Sequence, residues 1–226
     1  MHTYAIVVAG GKGKRFGGEK PKQFIELQGK PILMHTIEKI KSYCQDIQVL
    51  VVLPEEQISV WKEMCKELEF RISHNIVAGG EERFFSVKNA IDTLSKTNIA
   101  DNDLVAIHDG VRPFANQQTW INCIKTAKEK GNAVPCMPSV ESLRKVDGER
   151  NHAIDRSRIH TIQTPQVFRF DIIKQAYKQV FSTDFTDDAS VVESLGEKIY
   201  LVEGNRENIK ITTPFDLKIA QAILSN

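Results

Sequence analysis

Glycines and basic side chains are concentrated in residues 9–22, directly after a short hydrophobic segment. Gly10, Gly11 and Gly13 let the backbone N–H groups approach a ligand closely. One acidic residue, Glu19, stands among five basic ones: Lys12, Lys14, Arg15, Lys20 and Lys22. A solvated turn is the usual fate of such a charge run. Together with the preceding strand and the glycines, however, the charge predicts a triphosphate-binding loop.

Two familiar phosphate-binding templates do not fit this loop. It lacks the Gly-Lys-Ser/Thr ending of a Walker A loop. In the dinucleotide fingerprint counted from Gly11, the third glycine would fall on Phe16. The sequence therefore favours neither a P-loop ATPase nor an NAD-dependent enzyme.

A second group with possible phosphate chemistry follows a later hydrophobic run. Asp109 is a candidate Mg²⁺ ligand, because magnesium takes one or two carboxylates together with phosphate oxygens. Arg112 lies three residues on, before Pro113, and could hold a phosphate through two hydrogen bonds. The alternative for Asp109, which precedes Gly110, is a residue that only stabilises a turn.

The elements that must position these groups alternate between strands and helices. Apolar runs at 4–9, 47–53 and 104–108 predict buried strands, and helical spacing lies between them. This alternation predicts a single domain over residues 1–226, built as a Rossmann-like, three-layer α/β/α sandwich with a mostly parallel twisted sheet. Ligands bind beyond the carboxyl ends of strands in such sheets, where the glycine loop and Asp109 fall.

A projecting β-arm is predicted at about 139–165. Residues 140–146, a turn signal at Asp147-Gly148, and residues 159–164 indicate an extended hairpin. It is either a surface flap or an arm that packs on a second subunit. Beyond it we expect helices at 170–180, 187–195 and 214–224, the last with Pro214 at its first position.

Overall composition narrows the classes of partner. The chain has 30 basic and 29 acidic residues among 226, so a nucleic acid or an anionic membrane is not expected as its partner. No segment approaches the 18 apolar residues of a membrane span, which favours a cytoplasmic protein. Cys44, Cys65, Cys123 and Cys136 are widely spaced and are expected to be reduced, buried thiols.

Several motifs occur in a fixed order along nearly the whole chain. In the first half they are Ala9-Gly10-Gly11-x-Gly13-x-Arg15-Phe16, Pro21-Lys22-Gln23-Phe24, Gly79-Gly80-Glu81-x-Arg83-x-x-Ser86-Val87 and His108-Asp109-x-x-Arg112-Pro113. In the second half they are Asp155-Arg156, Gln163-Thr164-Pro165-Gln166, Thr186-Asp187-Asp188-Ala189 and Gly204-x-x-x-Asn208-Ile209-Lys210. The ordered set resembles the 2-C-methyl-D-erythritol 4-phosphate cytidylyltransferase family.

The resemblance implies that CTP and methylerythritol phosphate react to give CDP-methylerythritol and pyrophosphate, with Mg²⁺ as cofactor. The attacking phosphate monoester is mostly ionised at neutral pH, so it needs no general base. The obstacle is repulsion between anions, about 4 kcal/mol per unit-charge pair at ~4 Å and an effective dielectric near 20. Catalysis should therefore depend on cations and positioning.

The resemblance also implies roles for individual residues. Those implied to be catalytic are Arg15 and Lys22 at the α-phosphate, and Arg156 and Lys210 at the incoming phosphate. Those implied to bind CTP are Ala9, Gly10, Gly11, Gly13, Gly80, Glu81, Ser86 and Gly110. Those implied to bind the polyol are Asp109, Arg112, Ser142, Thr164 and Thr186, with Asp109 also the metal ligand. Arg156 and Ser142 lie on the arm, which in the family is exchanged between the subunits of a homodimer.

Some alternatives stay open at this point. Gly110 and Ser142 replace the family's commoner alanine and threonine, changes expected to be harmless. Thr164 could simply end a strand, and Thr186 could only cap a helix. Glu207 could be a second metal ligand, although an exposed loop acid is favoured.

Rival functions are a ribitol 5-phosphate cytidylyltransferase, a sugar-1-phosphate or molybdopterin nucleotidyltransferase, and a nucleotide sensor without catalysis. The sequence Ile154-Asp155-Arg156 favours the methylerythritol enzyme over the ribitol enzyme. A sensor would have lost a phosphate-handling cation, yet Arg15, Lys22, Arg156 and Lys210 are all present.

Overall fold

The computed structural model describes residues 1–11 and 21–225 of the chain. In chain order the elements up to residue 138 are β1 (Thr3–Val8), β2 (Glu26–Leu27), β3 (Lys30–Pro31), α1 (Ile32–Tyr43), β4 (Gln48–Leu53), α2 (Glu55–Glu67), β5 (Asn75–Ala78), α3 (Arg83–Leu94), β6 (Leu104–Asp109), α4 (Gln117–Lys130) and β7 (Asn132–Pro138). The elements that follow are β8 (Leu143–Asp147), β9 (Arg150–Ile154), β10 (His160–Ile162), β11 (Gln166–Arg169), α5 (Phe170–Ala176), α6 (Asp188–Glu193), β12 (Leu201–Glu203) and α7 (Pro214–Leu224).

The main sheet has the strand order β10-β7-β11-β6-β1-β4-β5, with β12 beside β7. Strand β1 lies inside the sheet and pairs in parallel with both β4 and β6. Strand β11 is antiparallel to its neighbours β6 and β7, and β10 is antiparallel to β7. The prediction of a mostly parallel sheet is therefore confirmed, with two antiparallel strands, β10 and β11, in the second half of the chain.

Two hydrophobic cores cover the two faces of this sheet. Helix α3 packs on one face through Phe84, Val87 and Ile91, together with α5 and α6. Helices α1, α2 and α4 pack on the other face, where Trp61 and Trp120 are fully buried. The central strands are buried on both sides, which explains their continuous apolar sequences. The predicted three-layer α/β/α sandwich is confirmed.

Helix ends follow local chemistry at some sites and tertiary contacts at others. Helix α7 begins as predicted, with Pro214 in its first turn and Thr213 capping it. The helix predicted at 170–180 instead ends at Ala176. The Gln179 side chain donates to the carbonyls of Ala176 (3.0 Å) and Val191 (2.9 Å), so contacts with α6 replace the last helical turn.

The predicted arm is a hairpin of β8 and β9, separate from the main sheet. The predicted pairing of 140–146 with 159–164 is wrong. Gly148 has a φ of +57°, and Asp147 pairs with Arg150, so a tight turn returns the chain at once. Residues 160–162 form β10, which joins the main sheet beside β7.

The sequence expectations about cysteines and membranes can be compared with the same structure. All four cysteines are free thiols, and Cys123 and Cys136 are buried as predicted. The prediction of burial is wrong for Cys44 and Cys65, which are partly exposed. Across residues 1–11 and 21–225, no helix combines the length and the apolar character that crossing a membrane requires.

Candidate active site

A cavity of about 700 Å³ opens at the carboxyl ends of the parallel strands. Six of the residues that line it are Gly10, Lys22, Gly80, Ser86, Asp109 and Lys210. The glycines follow β1, and Asp109 is the last residue of β6, so neighbouring strands bring them together. The sequence predicts a ligand site at this same edge of the sheet.

A smaller cavity of about 300 Å³ adjoins the first and contains Arg112, Thr164, Gln166 and Thr186 in its lining. Among residues 1–11 and 21–225, three charged residues line both cavities: Arg83, Asp109 and Lys210. Two ligands, one in each cavity, would therefore meet at this charged boundary.

Glycine is required at position 80 in the wall of the larger cavity, and at position 11 it leaves room for the Lys22 side chain. A Cβ atom on Gly80 would lie 2.4 Å from the Cβ of Phe85, a distance that no ordinary contact allows. A Cβ atom on Gly11 would lie 2.7 Å from Cε of Lys22. The Lys22 side chain thus packs directly over the glycine loop, where close approach of a phosphate is expected.

Lys22 is held by its neighbours in sequence. It begins a single turn of 3-10 helix, Lys22–Phe24, immediately after Pro21. The ring of Phe24 is buried and stacks on Trp61 with 5.9 Å between centroids. Because the next residues are anchored in the core, the Lys22 ammonium is presented to the larger cavity from a fixed backbone.

Asp109 is 7% exposed and carries a negative charge at the boundary between the cavities. Its Oδ2 accepts from Nε of Arg112 at 2.9 Å and lies 3.1 Å from Nζ of Lys210. Burial alone would raise the pKa of this carboxyl, but Lys210, Arg83 and Arg112 outweigh it and hold the pKa well below its usual value. Asp109 is therefore a carboxylate at neutral pH.

Arg112 is oriented by a second contact on the backbone. Its Nη1 donates to the carbonyl oxygen of Asn208 at 2.7 Å, two residues before Lys210. The Asn208 side chain in turn donates to the carbonyl of Thr164 at 2.8 Å. These bonds fix the loop that carries Lys210 against β6.

Arg83 is a site residue to which sequence reasoning gave no role, although it stands in one of the quoted motifs. Its Nη1 and Nη2 donate to the two carboxylate oxygens of Asp188 at 2.7 and 2.6 Å. The Tyr177 hydroxyl also donates to Asp188, which is fully buried. The pair joins the first residue of α3 to the first residue of α6, and so joins a wall of the larger cavity to a wall of the smaller one.

Most of the predicted site residues described by the structure line a cavity. Those at the larger cavity are Ala9, Gly10, Gly11, Lys22, Gly80, Glu81, Ser86, Asp109 and Lys210. Those at the smaller cavity are Asp109, Arg112, Thr164, Thr186 and Lys210. The cap of α6 is Asp187, so the alternative that Thr186 only caps this helix is wrong.

Other predicted residues lie elsewhere. Gly110 donates its N–H to the carbonyl of Val8 at 2.9 Å and lies behind the cavity wall. Ser142 and Arg156 are exposed on the arm and line neither cavity, and Nη1 of Arg156 donates to the carbonyl of Val140. Glu207 is an exposed acid that accepts from Asn205 at 3.0 Å. Gly13 and Arg15 lie outside the described residues.

The chain itself offers a metal few ligands. Among the described residues, no group of three or more histidine, cysteine or acidic side chains could hold a metal ion. The carboxylate of Asp109, which lines both cavities, nevertheless fits Mg²⁺, which commonly binds through one carboxylate and the oxygens of a substrate phosphate.

Comparisons with known proteins agree along the full chain. A family model described as 2-C-methyl-D-erythritol 4-phosphate cytidylyltransferase matches residues 3–226. A protein of that name from Bacteroides fragilis is 48% identical over 224 residues, covering 99% of this chain and 100% of the relative. One from Clostridium perfringens is 40% identical, covering 96% of each. The crystal structure of the Francisella tularensis cytidylyltransferase superposes with a TM-score of 0.81 at 27% identity, covering 98% of this chain and 99% of that chain.

Proposed function

This chain belongs to the 2-C-methyl-D-erythritol 4-phosphate cytidylyltransferase family, and from that premise we propose which of its residues act on each substrate. The enzyme transfers CMP from CTP to methylerythritol phosphate and releases pyrophosphate. One observation supports the proposal most strongly: two cavities meet at Arg83, Asp109 and Lys210.

CTP occupies the larger cavity in this proposal. Its volume of about 700 Å³ suits a nucleotide. Gly80, Glu81 and Ser86 surround the base and the ribose, while the glycine loop faces the phosphates. Lys22, together with Arg15, stabilises the negative charge that grows at the α-phosphate in the transition state.

The polyol phosphate occupies the smaller cavity. Lys210 receives the phosphate, and the Asp109 carboxylate accepts hydrogen bonds from the polyol hydroxyls. Without the neighbouring cations the carboxylate would repel the substrate, but Lys210 at 3.1 Å and Arg112 at 2.9 Å already offset its charge.

The chemistry is an in-line attack of a phosphate oxygen on the α-phosphorus of CTP, which forms a new P–O bond as the bond to pyrophosphate breaks. The nucleophile is already ionised at neutral pH and needs no base. His108, the histidine nearest Asp109, is unsuited to be one, because burial lowers its pKa to about 4 and its side chain is 1% exposed.

Asp109 is also the proposed protein ligand of Mg²⁺. The ion, when bound, would neutralise charge on the phosphates and so favour the approach of the two anions. Activity should disappear with EDTA and return with excess Mg²⁺; full activity in metal-free buffer would remove the ion from the proposal.

The arm supports a homodimer in which each subunit completes the other's site. Val140 and Val146, before and within the hairpin, are 52% and 69% exposed, so this subunit leaves both apolar side chains uncovered. A second subunit covering the arm would bury them. It would also bring Arg156 and Ser142, which are remote from their own cavities, to the partner's smaller cavity.

Mixed dimers test this arrangement. We expect Arg156→Ala and Lys22→Ala each to be inactive as homodimers, whereas a verified heterodimer of the two contains one intact site and recovers part of the activity. The control is a dimer in which both chains carry Lys22→Ala, each with one of the same two tags. No recovery in the mixed dimer would show that the arm does not contribute to the partner's site.

A further inference from the structure

A buried histidine lies directly behind the charged boundary of the two cavities. His108 is 1% exposed and packs beside Trp120, with 5.5 Å between ring centroids. Its Nε2 is 2.9 Å from the carbonyl oxygen of Arg112, and its Nδ1 is 2.9 Å from Oγ1 of Thr164. Oγ1 of Thr164 also accepts from the backbone N–H of Asp109 at 3.1 Å.

The direction of each hydrogen bond follows from what the groups can donate. A carbonyl oxygen only accepts, so Nε2 of His108 carries a proton. The Asp109 amide only donates, so Thr164 must send its own hydroxyl hydrogen elsewhere. A neutral imidazole carries one proton, which is on Nε2, so Nδ1 of His108 is unprotonated and accepts the hydroxyl hydrogen of Thr164.

We propose that His108, fixed as its Nε2–H tautomer, is a positioning residue for the transfer. We also propose that the Thr164 hydroxyl contributes to the transfer only through its hydrogen bond to His108. The inference rests on the proposed function of the residues it positions, Asp109 and Arg112. The imidazole bridges the turn that contains Asp109 and Arg112. It bonds the carbonyl of Arg112 directly and reaches the backbone N–H of Asp109 through the Thr164 hydroxyl. The hydroxyl hydrogen of Thr164 points into the protein, so Thr164 donates no hydrogen bond to the polyol.

Histidine ¹⁵N NMR of the unmodified protein at neutral pH tests the tautomer directly. We expect a protonated Nε2 and an unprotonated Nδ1 at His108, assigned by loss of its signals in His108→Gln. His74 is an internal reference of the opposite kind, because its Nε2 accepts from Trp61 at 2.9 Å and its Nδ1 donates to the carbonyl of Ile72 at 2.7 Å. A protonated Nδ1 at His108, or rapid averaging of its two nitrogens, would overturn the proposal.

A pair of substitutions tests whether Thr164 acts through His108. Gln at position 108 keeps an amide N–H that can donate to the carbonyl of Arg112 but has no polar atom at the place of Nδ1, so the Thr164 hydroxyl loses its acceptor there. Val at position 164 removes the hydroxyl while keeping the side-chain shape. Each change should lower kcat/KM by about 10- to 100-fold, the usual effect of losing a buried group that orients a site residue. Thr164→Ser should recover most of the activity, because it restores the hydroxyl.

The double variant distinguishes the two possible roles of Thr164. If the hydroxyl acts through His108, Thr164→Val in the His108→Gln background should change kcat/KM by no more than a factor of about 2. If Thr164 instead donates to the polyol, its substitution should raise the KM for methylerythritol phosphate by the same factor in both backgrounds, which would contradict the inference. His74→Gln controls for the loss of a partly buried, hydrogen-bonded histidine and should leave both KM values unchanged.

These readouts separate the inference from the proposed function. The NMR result does not depend on turnover, and pyrophosphate release by the unmodified enzyme does not depend on the tautomer. An active enzyme with the wrong tautomer would refute the inference alone.

Discussion

Lys210→Gln removes the cation that the account places between the polyol phosphate and Asp109. If the substrate phosphate approaches Nζ of Lys210 as closely as Asp109 does, at 3.1 Å, two unit charges at an effective dielectric near 20 interact by about 5 kcal/mol. The Lys210 side chain is 39% exposed, so solvent screening should reduce the term to about half. The expected loss of transition-state stabilisation is therefore about 2–3 kcal/mol, or on the order of 100-fold in kcat/KM.

A pyrophosphate-release assay measures this effect with each substrate varied in turn. We expect most of the loss in kcat/KM for methylerythritol phosphate, with a smaller change in the KM for CTP. Lys198→Gln is the matched control, because Lys198 lies over the ring of Tyr200 and lines neither cavity. A loss of less than about threefold in Lys210→Gln, or an equal loss in the control, would refute the assigned role.

The remaining predictions concern the cavity walls. Gly11→Ala should lower kcat by about 100-fold with little change in Tm. The new Cβ would lie 2.7 Å from Cε of Lys22 and would displace that side chain; an unchanged kcat would contradict this. Asp109 has a lowered pKa in the folded state, so its stabilising contribution is present above the unfolded pKa of about 4 and declines as the pH falls further. Asp109→Asn should therefore flatten the decrease in Tm below pH 4, and an identical decrease would argue against it. Asp188→Asn should lower the unfolding free energy by about 3–5 kcal/mol, because it breaks the ion pair between the buried Asp188 and Arg83. A decrease of less than about 1 kcal/mol in urea denaturation would contradict this.

The central fold was predictable because its signals are local. Apolar runs marked β1, β4 and β6, and the alternation with helical spacing indicated their parallel pairing. The start of α7 was predictable from Pro214 alone, since proline suits the first helical turn. These features depend on residues that are neighbours in sequence.

The arm and the end of α5 were predicted incorrectly because their signals compete with tertiary contacts. The sequence indicates the turn at Gly148, but it predicts the second strand of the hairpin at 159–164, whereas that strand, β9, spans Arg150–Ile154. Residues 160–162 are equally strand-like, and their pairing with β7 depends on the rest of the sheet. Helix α5 stops early because Gln179 and Tyr177 bind α6, which no local pattern indicates.

The site was predictable where residue type alone implies chemistry. The glycine loop, Lys22, Asp109 and Lys210 are brought together as the motifs suggested. Arg83 was not assigned a role, because its partner Asp188 is 105 residues away in sequence. His108 was noticed only as part of a motif, since its function depends on a hydroxyl that approaches from another strand.

The measurement that tests the central claim most directly is pyrophosphate release with CTP, ATP, GTP and UTP, each crossed with methylerythritol, ribitol and hexose phosphates. The account predicts that CTP with 2-C-methyl-D-erythritol 4-phosphate gives the highest kcat/KM and that CDP-methylerythritol is the product. Equal or faster turnover with ribitol 5-phosphate, or with a nucleotide other than CTP, would contradict it.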